Sequence, residues 1–316
     1  MIIIARRNFL FLVIGLVCIT MFLSGCSNRS ADRKMETKQP TRVNAPQKPA
    51  LQDRKQPVSG PVRTVPWEKD RKFKNKQQET GTPVQMAAFR TVLRDPLPGE
   101  EQNVHLAARL LTGTVLQPGQ VFSQNLTIGP YNRDRGFQIG PVYSGSQVKT
   151  TIGGGVCKIA STLYNVAVLC NLPVTERTPH AMPVPYVPYG QDATVSYGVN
   201  DFKFKNNLPY PILIWAQGVD NILYIAFYGQ SQPPKVEWHH QFLERQKASK
   251  IYRQNSALSK GEEKIAVKGM DGAVVKSWVT IANKNGSTTT KQLGISSYKP
   301  MPYIIEQNSP ANNSSK

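Results

Sequence analysis

Three consecutive glycines, Gly153, Gly154 and Gly155, lead into Val156 and Cys157, and a helical pattern begins there. Glycine permits positive φ angles and close backbone approach, so a tight loop is expected before the helix. Apolar residues then recur at the i, i+4 and i+7 spacing, which predicts a helix over residues 157–171. A cysteine in the first turn of a helix lies where the helix dipole favours the thiolate. The stretch therefore predicts a candidate nucleophile.

The residues that share a helical stripe with Cys157 are Ser161, Tyr164 and Asn165. We expect these side chains to line a cleft beside the thiol. The alternative is a thiol that is simply buried, because cysteine is one of the residue types most often found in protein interiors.

The N-terminus has the order of a bacterial lipoprotein signal. Arg6 and Arg7 precede an uncharged apolar run over residues 9–23, which is short for a membrane span and suits a signal peptide. The run ends in Leu-Ser-Gly-Cys, which resembles the lipobox of bacterial lipoproteins. That resemblance implies removal of residues 1–25, lipidation of Cys26 and anchoring to the outer face of the cell membrane. An uncleaved signal anchor is the alternative.

The chain is strongly basic, with 39 Lys and Arg against 20 Asp and Glu and a net charge of +19. Such a charge points to polyanionic partners. Outside the cytoplasm these would be the membrane surface, peptidoglycan or an anionic wall polymer, so we expect no nucleic acid. Residues 26–85 are rich in Lys, Arg, Gln and Pro and lack apolar periodicity, which predicts a disordered basic tether.

The rest of the chain predicts an α+β fold, in which the cysteine-bearing helix packs on a mainly antiparallel sheet. The strongest strand candidates are residues 212–215 and 222–228, and the second is apolar on both faces, as in a central strand. We predict a main domain over residues 86–230, a linker over 231–250, a small all-β module over 251–306 and a tail over 307–316.

The cysteine and histidine spacings argue against a disulfide or a metal site. On one helix Cys157 and Cys170 would lie about 20 Å apart, whereas a disulfide needs Cα atoms within about 7 Å. No Cys-x-x-Cys or His-x-x-x-His spacing occurs, so we expect neither metal nor cofactor. His239 and His240 are predicted to form an exposed loop pair.

The region from about residue 100 to 230 resembles the VanW family. The motifs that carry the resemblance are Gly-Thr-Val-Leu-Gln-Pro-Gly-Gln-Val-Phe-Ser at 113–123, Gly-Gly-Gly-Val-Cys at 153–157, Ser-Thr-Leu-Tyr-Asn at 161–165, His180, Gly-Gln-Asp-Ala-Thr-Val at 190–195 and Asp-Phe-Lys-Phe-Lys-Asn at 201–206. The resemblance implies a cell-envelope protein of Gram-positive bacteria, in a family named from glycopeptide-resistance gene clusters and without a settled activity.

Two further features qualify the resemblance. The family usually has glutamine after the cysteine, and this chain has Lys158, which puts an oxyanion role for that position in doubt. The C-terminal module resembles, in degenerate form, the small five-glycine β module attached to wall-associated enzymes.

The order Cys157, His180 and then Asp192 or Asp201 suggests thiol-dependent acyl transfer. The thiolate would attack a carbonyl, the imidazole would carry the proton and the carboxylate would fix its tautomer. Backbone N–H groups of the loop formed by Gly153, Gly154 and Gly155 would stabilise the oxyanion. The enzyme would be an amidase or transpeptidase on peptidoglycan peptides. For the aspartates, a turn-forming role is the alternative.

The second hypothesis is a non-catalytic protein that binds peptidoglycan or another wall polymer. Its basic charge would contact teichoic acid. Six aromatic side chains would stack on sugars: Tyr131, Tyr143, Tyr186, Tyr189, Tyr197 and Trp215.

Overall fold

The structure, a computed structural model, describes residues 57–93, 96–144, 147–283 and 286–308. The predicted signal peptide, the lipidation site Cys26, the first part of the tether and the end of the tail lie outside these ranges. None of the helices within them is long and apolar enough to cross a membrane.

The elements are β1 (Gly60–Pro61), α1 (Arg71–Thr80), β2 (Val84–Val92), α2 (Glu100–Leu111), β3 (Thr114–Leu116), β4 (Val121–Ser123), α3 (Gln124–Ile128), β5 (Ile139–Ser144), β6 (Gln147–Ile152), α4 (Cys157–Leu169), β7 (Val174–Glu176), β8 (Lys203–Lys205), β9 (Ile212–Val219), β10 (Ile222–Gly229), β11 (Val236–Gln246), β12 (Lys250–Gln254), β13 (Glu263–Val267), β14 (Gly272–Ala282), β15 (Thr288–Tyr298) and β16 (Tyr303–Gln307).

A five-stranded antiparallel sheet in the order β1-β2-β10-β9-β3 forms the centre of the main domain. Helices α2 and α4 pack on one face of this sheet, and α4 lies against β2 and β10. Fully buried apolar side chains fill the interface, among them Leu163 of α4 and Ile225 of β10, and each contributes roughly 1.5–3 kcal/mol by leaving water. The structure confirms the predicted α+β class, the cysteine-bearing helix and the central position of β10.

The other face of the sheet is covered by the segment before β2. Trp67 and Phe73 are buried against Trp215 of β9 and Tyr228 of β10, and the Trp67 indole N–H donates to the Tyr228 hydroxyl at 2.8 Å. The structure therefore corrects the predicted tether over residues 57–85, where it shows β1, α1 and the start of β2. A few widely spaced aromatic residues give no periodicity, yet they suffice because the sheet supplies the rest of the core.

The C-terminal module consists of two three-stranded sheets, in the orders β11-β14-β15 and β12-β16-β13. This confirms a small all-β module. The predicted linker over residues 231–250 is corrected, because β11 pairs with β14 along most of its length. His239 and His240 lie within β11 and bond to Thr280 and Ser277 of β14, so they are not an exposed loop pair. Most side chains of β11 are polar or charged, so the alternation that marks a strand was not visible in the sequence.

Candidate active site

The glycine loop before α4 is held tightly against its neighbours. Gly153 and Gly155 adopt φ angles of +77° and +104°, which favour glycine. A Cβ on Gly154 would lie 2.0 Å from the carbonyl oxygen of Gly140. The buried Asn103 amide on α2 donates to the carbonyl oxygens of Gly154 and Gln138 at 2.9 Å each. These constraints fix the point at which α4 begins, and its first residue is Cys157.

Cys157 is a partly exposed residue, and its thiol faces the loop that contains Thr194 and Val195. Its Sγ lies 3.4 Å from the Thr194 hydroxyl and accepts from the backbone N–H of Val195 at 3.5 Å. Burial opposes ionisation, but the hydrogen bond and positive charge of His180 outweigh it and lower the pKa of Cys157 to about 7. Near neutral pH a large fraction of this thiol is therefore thiolate.

His180 lies in the loop that follows the bridge between Thr178 and Thr194, rather than on a strand. Its Nδ1 is 2.7 Å from Oδ2 of Asp192, and its backbone N–H donates to the same oxygen at 2.7 Å. With Nδ1 bonded to the carboxylate, Nε2 is the ring nitrogen left to interact with the thiol. Burial would lower the imidazole pKa, but the hydrogen bonds and charges of Asp192 and Cys157 raise the pKa of His180 to about 9. The two residues thus favour a thiolate–imidazolium pair.

Asp192 is almost fully buried and accepts from donors on both of its oxygens. Oδ2 binds His180, while Oδ1 accepts from Arg177 Nη2 at 3.0 Å and from the Tyr298 hydroxyl at 2.5 Å. Burial opposes ionisation, yet the bonds and charges of His180 and Arg177 hold the pKa of Asp192 below its usual value. The carboxylate therefore stays ionised and can orient the imidazole.

Asp201 has a different role from Asp192. Its Oδ1 accepts from the backbone N–H groups of Asn125 and Phe202 at 2.9 and 2.8 Å, and its Oδ2 accepts from the Ser123 hydroxyl at 2.5 Å. These bonds organise the start of α3, where Ser123 is the N-cap. Of the two aspartates that the sequence left open, the structure brings Asp192 to His180 and gives Asp201 a structural position.

The predicted cleft-lining residues are buried and face a loop instead. The Ser161 hydroxyl donates to the carbonyl oxygen of Ala193 and accepts from its N–H, and the Asn165 amide donates to the carbonyl oxygen of Gln191 at 2.8 Å. Tyr164 lies under the guanidinium group of Arg177, 5.1 Å from it. The helical stripe does face the site, but the loop that contains Asp192 covers the stripe. These residues therefore support that loop and do not line a cleft.

Lys158 is buried and turned to another partner. Its ammonium group forms an ion pair with Glu100 of α2 and lies 4.6 Å from the centre of the Tyr186 ring. Because its ammonium group is bound by Glu100, Lys158 is not free to act as an oxyanion donor beside Cys157.

The glycine loop shapes the start of α4 but contributes few free donors. The N–H groups of Gly153 and Gly154 donate to the carbonyl oxygens of Gln138 and Thr151. By contrast, the backbone N–H of Cys157 has no acceptor among the described residues. A first-turn N–H of this kind is suited to stabilise an oxyanion beside the thiol.

The aromatic residues proposed for sugar stacking differ in their exposure. Tyr186 and Trp215 are buried, and Tyr189 packs against Tyr298. Tyr197, which is 51% exposed, forms an edge-to-face pair with Tyr131. The side chain of Tyr143 lies outside the description. Tyr197 therefore offers an exposed aromatic side chain two residues after Val195, whose backbone N–H contacts the thiol.

Sequence reasoning missed several residues of the site. Arg177 lies three residues before His180, and Thr194 lies two residues after Asp192. A charged and a hydroxyl side chain this close to predicted site residues were the available signal in the sequence. Tyr298 belongs to another module, more than a hundred residues from Asp192, and no local pattern points to it. Within the described ranges, no group of three or more His, Cys, Asp or Glu side chains is placed to hold a metal ion.

Comparison with known proteins identifies the region that carries this site. Residues 99–228 match the family model described as VanW like protein. Over 144 residues the chain is 33% identical to the uncharacterized protein YoaR of Bacillus subtilis (strain 168), covering 46% of this chain and 48% of that one. Over 136 residues it is 28% identical to the vancomycin B-type resistance protein VanW of Enterococcus faecalis (strain ATCC 700802 / V583), covering 42% and 50%.

The chain thus spans about half the length of the curated relatives it matches. Among solved structures, the G5 domain of IgA1 protease is 16% identical, with 25% of this chain and 96% of that one covered and a TM-score of 0.16. A TM-score this low does not assign a fold to any part of the chain.

Proposed function

We propose that the protein is a cell-envelope thiol acyltransferase, an amidase or transpeptidase, that acts on amide bonds of cell-wall peptides. The match of residues 99–228 to the family model described as VanW like protein supports a role at the cell wall. One observation carries the proposal. A partly exposed cysteine at a helix start interacts with His180, and Nδ1 of His180 lies 2.7 Å from the buried Asp192 carboxylate. This is the arrangement of nucleophile, base and orienting carboxylate that acyl transfer requires.

The first half of the reaction cleaves the amide. The Cys157 thiolate attacks the carbonyl carbon, a C–S bond forms, and the Cys157 backbone N–H receives the oxyanion. His180 then donates its Nε2 proton to the amide nitrogen. The C–N bond breaks, the amine leaves, and a thioester to Cys157 remains with a neutral imidazole.

The second half releases the acyl group. His180 takes a proton from water or from an acceptor amine, which attacks the thioester carbon. The C–S bond breaks and the thiolate leaves, so the thiolate–imidazolium pair is restored. Water as acceptor gives an amidase, and an amine gives a transpeptidase. Asp192 keeps its charge throughout and holds Nδ1.

Two observations support a cell-wall peptide as substrate. One relative is named for vancomycin resistance, and the net charge of +19 suits an anionic wall environment. We propose that the protein reaches this substrate from the outer face of the membrane, through lipid on Cys26. Incorporation of a labelled fatty acid into the wild type but not into Cys26→Ala tests the anchor, and equal labelling of both would contradict it.

The same chemistry predicts the outcome of an assay on muropeptides. We expect turnover by the wild type, no turnover by Cys157→Ala, and wild-type turnover by the matched control Cys170→Ala, because Cys170 is buried at the far end of the helix. Equal turnover by Cys157→Ala and the wild type would overturn the proposal.

A wall-binding role without catalysis is the other candidate, and the basic charge together with the exposed Tyr197 favours it. Sedimentation with purified walls separates the two functions. If Cys157→Ala binds walls as the wild type does, in a salt-sensitive manner, and neither turns over muropeptides, binding is the function that remains.

A further inference from the structure

The C-terminal module reaches into the candidate active site through the last residue of β15. The Tyr298 hydroxyl donates to Oδ1 of Asp192 at 2.5 Å and accepts from the backbone N–H of Gly190 at 2.8 Å. Two residues earlier on the same strand, the Ser296 hydroxyl accepts from Arg177 Nη1 at 2.8 Å. Arg177 also binds Oδ1 of Asp192. The module therefore contacts the triad carboxylate directly and through its arginine partner.

The loop that carries Asp192 is held between the two parts of the chain. On one side Ser161 and Asn165 of α4 bond to its backbone. On the other side the Gln191 amide meets His240 of β11 at 3.0 Å, and Gly190, with φ +82°, passes so close to Ser277 of β14 that a Cβ would lie 2.2 Å from its hydroxyl oxygen. The close approach shows that loop and module are fitted to each other.

We propose that the C-terminal β module completes the active site, with Tyr298 as a positioning residue that fixes Asp192 and, through it, His180. This inference rests on the proposed function, because it assigns a partner to the same triad. It implies that the VanW-like region alone lacks one of the groups that hold its carboxylate.

The geometry explains how a distant hydroxyl reaches the thiol. A carboxylate can rotate about its Cβ–Cγ bond, so bonds to Oδ1 restrict the rotation that would move Oδ2 out of line with His180. Tyr298 and Arg177 are the side chains that bond Oδ1. Tyr298 is 4% exposed as a residue. Burial together with the Asp192 charge raises the pKa of its hydroxyl, so the phenol remains a donor at neutral pH.

Removal of the Tyr298 hydroxyl should therefore weaken the thiolate–imidazolium pair indirectly, because the hydroxyl bonds to Asp192 and not to the pair itself. The experiment measures the pH dependence of iodoacetamide alkylation at Cys157, by mass spectrometry of its peptide, in the folded chain. For Tyr298→Phe we expect the midpoint to move upward from the wild-type value by about half a unit to one unit, the size of one hydrogen bond. Alkylation at pH 7 should fall several-fold.

Tyr189→Phe is the matched control. Tyr189 packs edge-to-face against Tyr298 at 5.4 Å, but its hydroxyl donates to the carbonyl oxygen of Asp271 and does not contact Asp192. The same chemical change in the neighbouring ring should leave the midpoint where it is. An upward shift in Tyr298→Phe alone supports the positioning role, since a general loss of packing in the module would move both variants.

If Tyr298→Phe does not fold, a second variant still tests the inference. Ser296→Ala removes the acceptor of Arg177 Nη1 and should shift the midpoint in the same direction by a smaller amount. Folded variants of both residues with the wild-type midpoint would overturn the inference.

The readout also separates this inference from the proposed function. Failure of the wild type to turn over muropeptides would defeat the proposed function and leave the thiol titration unaffected. A lowered wild-type midpoint that Tyr298→Phe and Ser296→Ala both leave unchanged would defeat the role of the module alone.

Discussion

Helix α4 has a cysteine at each end, and the two ends differ in what surrounds them. Cys157 at the first residue is partly exposed, and its pKa is lowered to about 7 because His180 outweighs the effect of burial. Cys170 at the C-cap is buried, and burial with no charged partner raises its pKa. On one helix, therefore, the pKa of one thiol is lowered and the pKa of the other is raised.

The difference does not come from the helix alone. A helix start favours an anion and a helix end disfavours it, but that effect is modest and acts within one turn. The larger contribution comes from residues 177–195, which bring His180, Asp192 and Thr194 over the first turn. Among the described residues no such loop reaches Cys170, which contacts the apolar core. The reactivity of a cysteine is therefore set by chain segments that are distant in sequence.

The largest effect on this comparison is expected from His180→Gln, which removes the partner that distinguishes the two thiols. The pH midpoint of Cys157 alkylation, which follows the pKa of the thiol, should rise from about 7 to the ordinary value near 9 or above. At pH 7 the thiolate fraction would fall from about one half to about one per cent, so alkylation should slow about fifty-fold. Stopped-flow alkylation over pH 5–10 measures this. A midpoint within half a unit of the wild type would show that His180 does not activate the thiol.

A smaller effect is expected from Asp192→Asn, with Asp201→Asn as its control. Without the carboxylate the pKa of His180 should drop from about 9, so the alkaline limb of kcat/KM moves to lower pH while the acid limb, set by thiolate protonation, moves upward. Loss of the buried partner of Arg177 should also cost roughly 3–5 kcal/mol in the free energy of unfolding.

Asp201→Asn should lower stability but leave both limbs in place, because Asp201 bonds to the Ser123 hydroxyl and to the backbone N–H of Asn125 in α3. Denaturant unfolding and pH–rate profiles of the two variants separate the catalytic role of Asp192 from the structural role of Asp201. Equal shifts of the limbs in both variants would contradict the assignment of Asp192.

The smallest effect is expected from Cys170→Ala at the inert end of the helix. The side chain is 2% exposed, so loss of one methyl-sized group should cost about 1 kcal/mol of unfolding free energy. The alkylation midpoint of Cys157 should not change. A changed midpoint would mean that the two ends of α4 are coupled, and the comparison would then fail.

The local parts of this arrangement could be predicted from the sequence. The start of α4 after the glycines, the central strand β10 and the set of Cys157, His180 and either Asp192 or Asp201 follow from periodicity, loop chemistry and motif order. Each of these depends on a local residue pattern or on the order of motifs along the chain. The choice of Asp192 over Asp201 needed the structure.

The remaining parts depend on contacts between distant segments. Trp67 and Phe73 give no periodic signal, yet they cover the outer face of the sheet. Helical spacing places Ser161 and Asn165 on the stripe that faces the site. The loop that buries them does not follow from that spacing, because it belongs to a different segment of the chain. Tyr298 binds Asp192 across 106 residues of sequence, and only the packing of the module against the main domain brings them together.

The most direct test of the account compares the two thiols of the folded wild-type protein in one experiment. Alkylation is followed from pH 5 to 10, and the Cys157 and Cys170 peptides are quantified separately. We predict that Cys157 reacts with a midpoint near pH 7 and that Cys170 stays unmodified until the chain is unfolded. A Cys157 midpoint near 9, or a Cys157 that reacts no faster than Cys170, would contradict the central claim of an activated nucleophile.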